Sequence, residues 1–321
     1  MRFYVTTASL VLTLLAPSGP LLAEVPIEKK TADIMSDGTR IHADIYRPKV
    51  GDQALKYPAI IMSHGWGGTA NLLSETAADI AQGGFVVVVI DYRGWGRSDS
   101  RTIQVKNKDN KFGKTRELRE VVDPLAQAED IFSAINWAAS DPQVEPSSIG
   151  LWGTSFSGGL TVYVAARDKR VKAIVSQVGS MGWGPYTDRY VREWNTKGGQ
   201  RARGEIDYPQ PGAKEVGSLT GGMVWEKLAR FRPYEDADQL KNVAALFVVA
   251  KNEELFRNED HSLAVFNKLS GAKEYLEIPN IKHYDIYSGP ARKTATKAAI
   301  NWFEKNLKTS PGGSVENQIG Q

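Results

Sequence analysis

A chain of 321 residues, 41% of them hydrophobic, can bury one large α/β core or two small ones and is too apolar for global disorder. Its formal charge of +3 is too small to argue for nucleic acid, and the lack of Cys excludes disulfides, thiolate metal sites and a Cys nucleophile. Residues 1–23 read as a signal peptide. Arg2 is a minimal positive region, Phe3 to Ala23 carry no charge, and Pro17, Gly19 and Pro20 break any helix. Cleavage is expected after Ala23, although Leu21 is a poor match to the small residue wanted there. An uncleaved anchor is the alternative, but the apolar run is short for a span of about 20 residues. The expectation is a periplasmic or secreted protein with no stable membrane association after cleavage.

From Ile27 to Arg47 the chain alternates like a hairpin, with Asp37-Gly38 at the turn. His42 falls on the polar phase and reads as solvated. Tyr57 to Met62 reads as a buried strand that ends in Ser63-His64-Gly65-Trp66-Gly67-Gly68. Ala70 to Ala81 reads as a helix. Phe85 to Ile90 is a continuous apolar run, as in a central parallel strand, and the polar loop Asp91 to Asp99 follows it. Arg101 to Arg119 is polar and Lys-rich, a surface excursion. Ala126 to Ala139 is an amphipathic helix.

Ser147 to Gly159 organises the rest. A strand-like run breaks at Gly153, Ser155 follows among small residues, and Leu160 to Ala166 reads as a helix. This is the layout of a nucleophile elbow, whose strained turn requires small neighbours two before and two after the Ser. Those neighbours are Gly153 and Ser157; Ser157 stands where Gly is usual. Gly158 and Gly159 are expected to let the helix pack closely against the strand. Val171 to Val178 is the next strand.

About 180–241 breaks the rhythm. Its Met181, Trp183, Tyr186, Trp194, Met223 and Trp225 either pack a satellite layer or line a substrate pocket under a cap. Regular elements resume at Ala244–Ala250, His261–Leu269, Lys273–Ile278 and Ala291–Lys308. The tail 309–321 reads as disordered. The alternation predicts an α/β fold, a mostly parallel sheet with helices on both faces.

A Ser hydroxyl needs a base, and the base needs an acid to orient it. Of the four His, His283 lies in the loop after the last strand, where such sheets hold their sites. His261, at a helix start, is second; His64 belongs to a Gly-rich turn. The loop after Ala250 offers Glu253 and Glu254 as acids but no Asp, with Asp260 further along. No metal or organic cofactor is needed for this chemistry.

These stretches carry a resemblance. Asp37-Gly38 with Ala43 to Pro48, His64-Gly65-Trp66-Gly67-Gly68, Asp91 to Ser98, Gly153-Thr154-Ser155 and His283-Tyr284 together resemble the α/β-hydrolase superfamily from about Ile27 to Lys308. The match is close to its dienelactone hydrolase-like and X-Pro dipeptidyl-peptidase-like branch. The resemblance implies a serine hydrolase with Ser155, Glu253 and His283 as triad, the family's acid position falling on Glu253. Glu254 is then expected to face solvent or a surface Lys. It also implies an oxyanion hole made by the backbone N–H groups of Trp66 and Phe156, and a cap in which Trp183, Trp194 and Trp225 contact substrate. X-Pro peptidases usually carry Tyr where Trp66 stands and a C-terminal β-sandwich for which this chain ends too early. The expected activity is therefore carboxylic ester hydrolysis on a small molecule, with peptide-like substrates second and an inactive binding module third. Oligomeric state stays open.

Overall fold

The run Val86–Ile90 shows how the core is built. Val86, Val88 and Ile90 face one apolar layer, and Val87 and Val89 face the other. A strand buried on both faces needs no alternation of polar and apolar residues, which is why its sequence is unbroken Val and Ile. The computed structural model describes residues 26–49, 55–107, 109–182 and 188–308. The expected signal peptide and tail, together with Trp183 and Tyr186, lie outside the described residues.

The central sheet has eight strands: β1 (Ile27–Ser36), β2 (Thr39–Pro48), β3 (Tyr57–Ser63), β4 (Val86–Ile90), β5 (Val144–Thr154), β6 (Val171–Gln177), β7 (Ala244–Ala250) and β8 (Lys273–Ile278). Their spatial order is β1-β2-β4-β3-β5-β6-β7-β8. Only β2 runs against its neighbours; the remaining pairings are parallel. The β1–β2 turn holds Asp37 at φ +48° and Gly38 at φ +75°, the left-handed pair that a two-residue hairpin turn requires.

Helices cover both faces, as the alternation predicts. On one lie α1 (Ser74–Gln82) and α8 (Gly289–Leu307); on the other lie α2 (Pro124–Ala139), α3 (Phe156–Ala165) and α7 (Ser262–Lys268). Helix α2 begins two residues before the expected Ala126. The Asp123 carboxylate accepts from the Leu125 and Ala126 N–H groups, and Pro124 fills the first helical position, where its missing donor costs nothing.

Two expectations are corrected. His42 is not solvated: it is 8% exposed, its Nε2–H donates to Asp44 Oδ1 over 3.1 Å, and its backbone N–H donates to Ser98 Oγ. The loop after β4 folds back over β2 and buries it. The polar excursion is a hairpin, Thr102–Lys106 with Phe112–Glu117, and it is not purely solvating. Arg116 donates to the carbonyls of Tyr208 and Pro209, and Lys106 to that of Gly204. Its cations hold the insertion that separates β6 from β7.

That insertion contains α4 (Asp188–Ala202), α5 (Trp225–Leu228) and α6 (Pro233–Asp236), and also short strands. One of these, Gly222–Met223, pairs parallel with Val121–Val122 and anchors the insertion to the body.

Candidate active site

The chain leaves β5 and enters α3 through a single strained residue. Ser155 has φ +55° and ψ −125°, a region that side-chain-bearing residues rarely occupy. The crowding explains the small neighbours. A Cβ on Gly153 would meet the Ser157 carbonyl oxygen at 2.3 Å. Ser157 is accommodated because its hydroxyl is buried between Ser63 Oγ and Tyr92 OH, both within hydrogen-bond reach. Gly158 and Gly159 allow close packing of α3, with the turn after β6 as the principal contact: added Cβ atoms would meet Gly179 Cα at 2.5 Å and Ser180 O at 2.4 Å.

The loop after β8 brings His283 to the same place. Its Nδ1–H donates to Glu253 Oε2 over 2.7 Å, so Nε2 is free to accept from Ser155 Oγ–H at 3.0 Å. The His283 and Glu253 side chains are 1% and 2% exposed. The second Glu253 oxygen accepts from the Leu255 N–H at 3.0 Å, which fixes the carboxylate plane. Glu254 departs from expectation. It does not simply face solvent: its Oε2 accepts from the His283 backbone N–H at 2.9 Å. Adjacent carboxylates thus hold the ring and the main chain of one residue. Asp260 lies instead against Arg257, 3.7 Å away.

The Gly-rich loop after β3 presses on Ser155. A Cβ on Gly65 would sit 2.8 Å from Ser155 Cβ, so only Gly fits. His64 is buried; its Nδ1–H donates to Gly65 O over 2.9 Å, and its Nε2 has no hydrogen-bond partner among the described residues. Burial lowers the His64 pKa, which keeps the ring neutral. Holding the Gly65 carbonyl orients the next peptide, because C=O and N–H point oppositely across a trans bond. Neither the Trp66 nor the Phe156 N–H has a hydrogen-bond partner among the described residues. Phe156 N–H is also one of the open donors at the start of α3.

Two cavities meet at Ser155. One, of about 240 Å³, has His283, Tyr284 and Tyr287 on its wall. The other, of about 100 Å³, is walled by Phe156, Val216, Leu219, Leu255 and Phe256. Trp66 lines both. Ser180 and His261 are the other polar side chains on the smaller cavity. Trp194 and Trp225 are not among the described walls of either cavity. Trp194 is buried in the core, and Trp225 packs against it at the start of α5. Packing between insertion and body accounts for both.

Among the described residues no group of three His, Cys, Asp or Glu could hold a metal ion, and no helix is long and apolar enough to cross a membrane.

Comparison with known proteins gives the family and the fold. Residues 37–275 match the family model of X-Pro dipeptidyl-peptidases, the S15 family. An uncharacterized 31.7 kDa protein of the traX-finO intergenic region of Escherichia coli is 28% identical over 296 residues, covering 81% of this chain and 94% of that one. Among solved structures, DcsB in complex with its substrate analogue superposes with a TM-score of 0.68 at 23% identity, over 87% of this chain and 100% of DcsB. Est1E from Butyrivibrio proteoclasticus, with ferulic acid bound, gives 0.62 at 16% identity, over 86% of this chain and 99% of Est1E. At these identities the two structures speak for the fold.

Proposed function

The chain belongs to the X-Pro dipeptidyl-peptidase (S15) family of the α/β-hydrolase superfamily, and from that premise we propose that it is a serine hydrolase cleaving small carboxylic esters through an acyl-enzyme. The observation that carries this reading is the continuous run from Ser155 Oγ to His283 at 3.0 Å and from His283 to Glu253 at 2.7 Å. Ser155 Oγ attacks the ester carbonyl carbon, and His283 Nε2 takes its proton. Glu253 keeps the proton of Nδ1 in place and stabilises the imidazolium that forms. The Trp66 and Phe156 N–H groups meet the negative charge growing on the carbonyl oxygen. His283 then protonates the leaving alkoxide, so the alcohol leaves from the larger cavity, which His283 lines, and the acyl group occupies the smaller one. Water repeats the sequence to release the acid.

The smaller cavity, about 100 Å³, is below the roughly 150 Å³ of a void that holds benzene, which favours short acyl groups. Family membership supports a second reading, cleavage of Xaa-Pro amides. A free N-terminal amine would need a carboxylate beside it, and none is among the described residues lining the acyl cavity. A screen of p-nitrophenyl esters of rising chain length beside Xaa-Pro amides separates the two. Short esters are expected to lead, and Ser155→Ala to cost about 10⁴-fold or more. Near-normal turnover by Ser155→Ala, or preference for the amides, refutes the ester reading. We further propose export, from Arg2 and the uncharged run to Ala23.

A further inference from the structure

His261 takes no part in the proton path above, yet it is built into the wall of the acyl cavity. The turn after β6 links it to the nucleophile. Ser180 N–H donates to the Ser155 carbonyl over 3.0 Å, and the next residue, Met181, donates its N–H to His261 Nδ1 over 3.0 Å. Ser262 Oγ–H donates to Gly179 O, also at 3.0 Å, and locks the other side of that turn. The imidazole therefore stands at a fixed offset from the reacting carbonyl. Phe256 packs on it with ring centroids 4.6 Å apart.

An Nδ1 that accepts must be unprotonated, so the neutral ring carries its proton on Nε2. Burial keeps it neutral, pushing its pKa down to about 4. The residue is 8% exposed and lines the cavity. With Nδ1 taken by Met181, Nε2–H is the ring's remaining polar group. Water in the cavity can accept from this donor; a ligand oxygen that replaces the water keeps the hydrogen bond, whereas an alkyl chain that displaces it leaves the donor unpaired.

We propose that His261 is a specificity-determining donor that selects acyl groups carrying an oxygen acceptor, such as an ether, keto or hydroxyl oxygen, over plain alkyl chains of equal length. The proposal rests on the ester-hydrolase reading and names its substrate class. The apolar walls hold the chain, and one donor reads one oxygen along it.

The test pairs p-nitrophenyl methoxyacetate with butyrate, 3-methoxypropanoate with pentanoate, and 4-oxopentanoate with 4-methylpentanoate. For each pair the ratio of kcat/KM in the wild type is divided by the same ratio in His261→Asn. Intrinsic ester reactivity cancels in that quotient. Asn places an acceptor near Nδ1, preserving the Met181 contact, and lacks the Nε2–H. A quotient of about fivefold to tenfold at one or more chain lengths is expected, the worth of one neutral hydrogen bond. His261→Gln, which extends an amide donor towards the Nε2 position, should restore part of it. A quotient within about twofold at every length overturns the proposal. Should His261→Asn fail to fold, wild-type protein with ¹⁵N-labelled imidazole settles the matter. Its His261 Nε2 resonance should shift on reaction with methoxyalkyl phosphonates and not with alkyl phosphonates; equal shifts overturn the proposal. If neither esters nor phosphonates react, the ester reading itself falls and this inference falls with it. Ester turnover with a flat quotient removes this inference alone.

Discussion

Two adjacent carboxylates touch one histidine, and their unequal roles can be measured. The Glu253 side chain is 2% exposed against His283 Nδ1, whereas Glu254, an exposed residue, accepts from the His283 backbone N–H. In the proposed attack the ring becomes an imidazolium beside the Glu253 charge. At about 4 Å between charge centres and an effective dielectric of about 20, that attraction is worth about 4 kcal/mol, or about 10³-fold in rate. Glu253→Gln removes the charge but keeps the shape. It also offers only one acceptor where Glu253 uses two, for His283 Nδ1 and for Leu255 N–H. A loss of about 10²–10⁴-fold in kcat with little change in KM is expected. Glu254→Gln keeps an acceptor for the main chain and should stay within about threefold. Glu254→Ala removes it and should cost at most about tenfold, one ordinary hydrogen bond. Steady-state kinetics on p-nitrophenyl butyrate decides. A Glu253→Gln enzyme within tenfold of wild type, beside a Glu254→Gln enzyme down a hundredfold, would refute the division of labour.

If the first 23 residues direct export, N-terminal sequencing of protein from a host with an intact export pathway begins near Glu24; intact Met1 on active protein counts against it. Acid stability should depend on Asp44: burial alone would raise its pKa, but hydrogen bonds from Arg97, His42 and Lys29 prevail and lower it from 3.8 to about 2. A folded pKa below the unfolded one contributes stability above pH 4 that disappears as pH falls towards 2, here about 2 kcal/mol. Denaturant melts of Asp44→Asn should therefore be weaker than wild type at pH 7 and converge with it near pH 2; a constant gap across that range would reject the linkage.

The parallel body was legible because each of its signals is local. An unbroken Val and Ile run requires a strand buried on both faces, and Gly153 to Ser157 requires small side chains at a strained turn. The residues alone left Glu253 and Glu254 open, and the choice of Glu253 came from the resemblance, whose acid position falls three residues after Ala250. The role of Glu254 followed from neither, since a contact to a backbone N–H 29 residues away leaves no mark on composition or period. His42 was misread for a related reason. Its place on the polar phase of β2 was read correctly, but the loop that buries that phase comes from after β4, and strand alternation says nothing of it. His261 was weighed as a base, because sequence supplies the residue type without the environment. Its Nδ1 is committed to Met181, and only the fold could show that.

The insertion was the least legible region, and its packing explains why. Its aromatic residues suggested a pocket, but Trp194 lies in the core and the walls at Ser155 come from smaller residues, Val216 and Leu219. The contact that matters to chemistry runs through a glycine. Trp66 Nε1–H donates to Gly221 O over 3.2 Å, and a Cβ on Gly221 would meet Trp95 at 2.8 Å. Gly221 adopts φ +127°, which other residues rarely reach, and it leads into the strand Gly222–Met223 pinned to Val121–Val122. The insertion thus holds the indole of the same residue whose backbone N–H faces the developing oxyanion in the proposed reaction. Displacing residues 219–223 would loosen the acyl wall and the loop bearing Trp66 together. In the proposed reaction, acyl selection and transition-state stabilisation therefore share one support, and Gly221, with no side chain to contribute chemistry, stands between them.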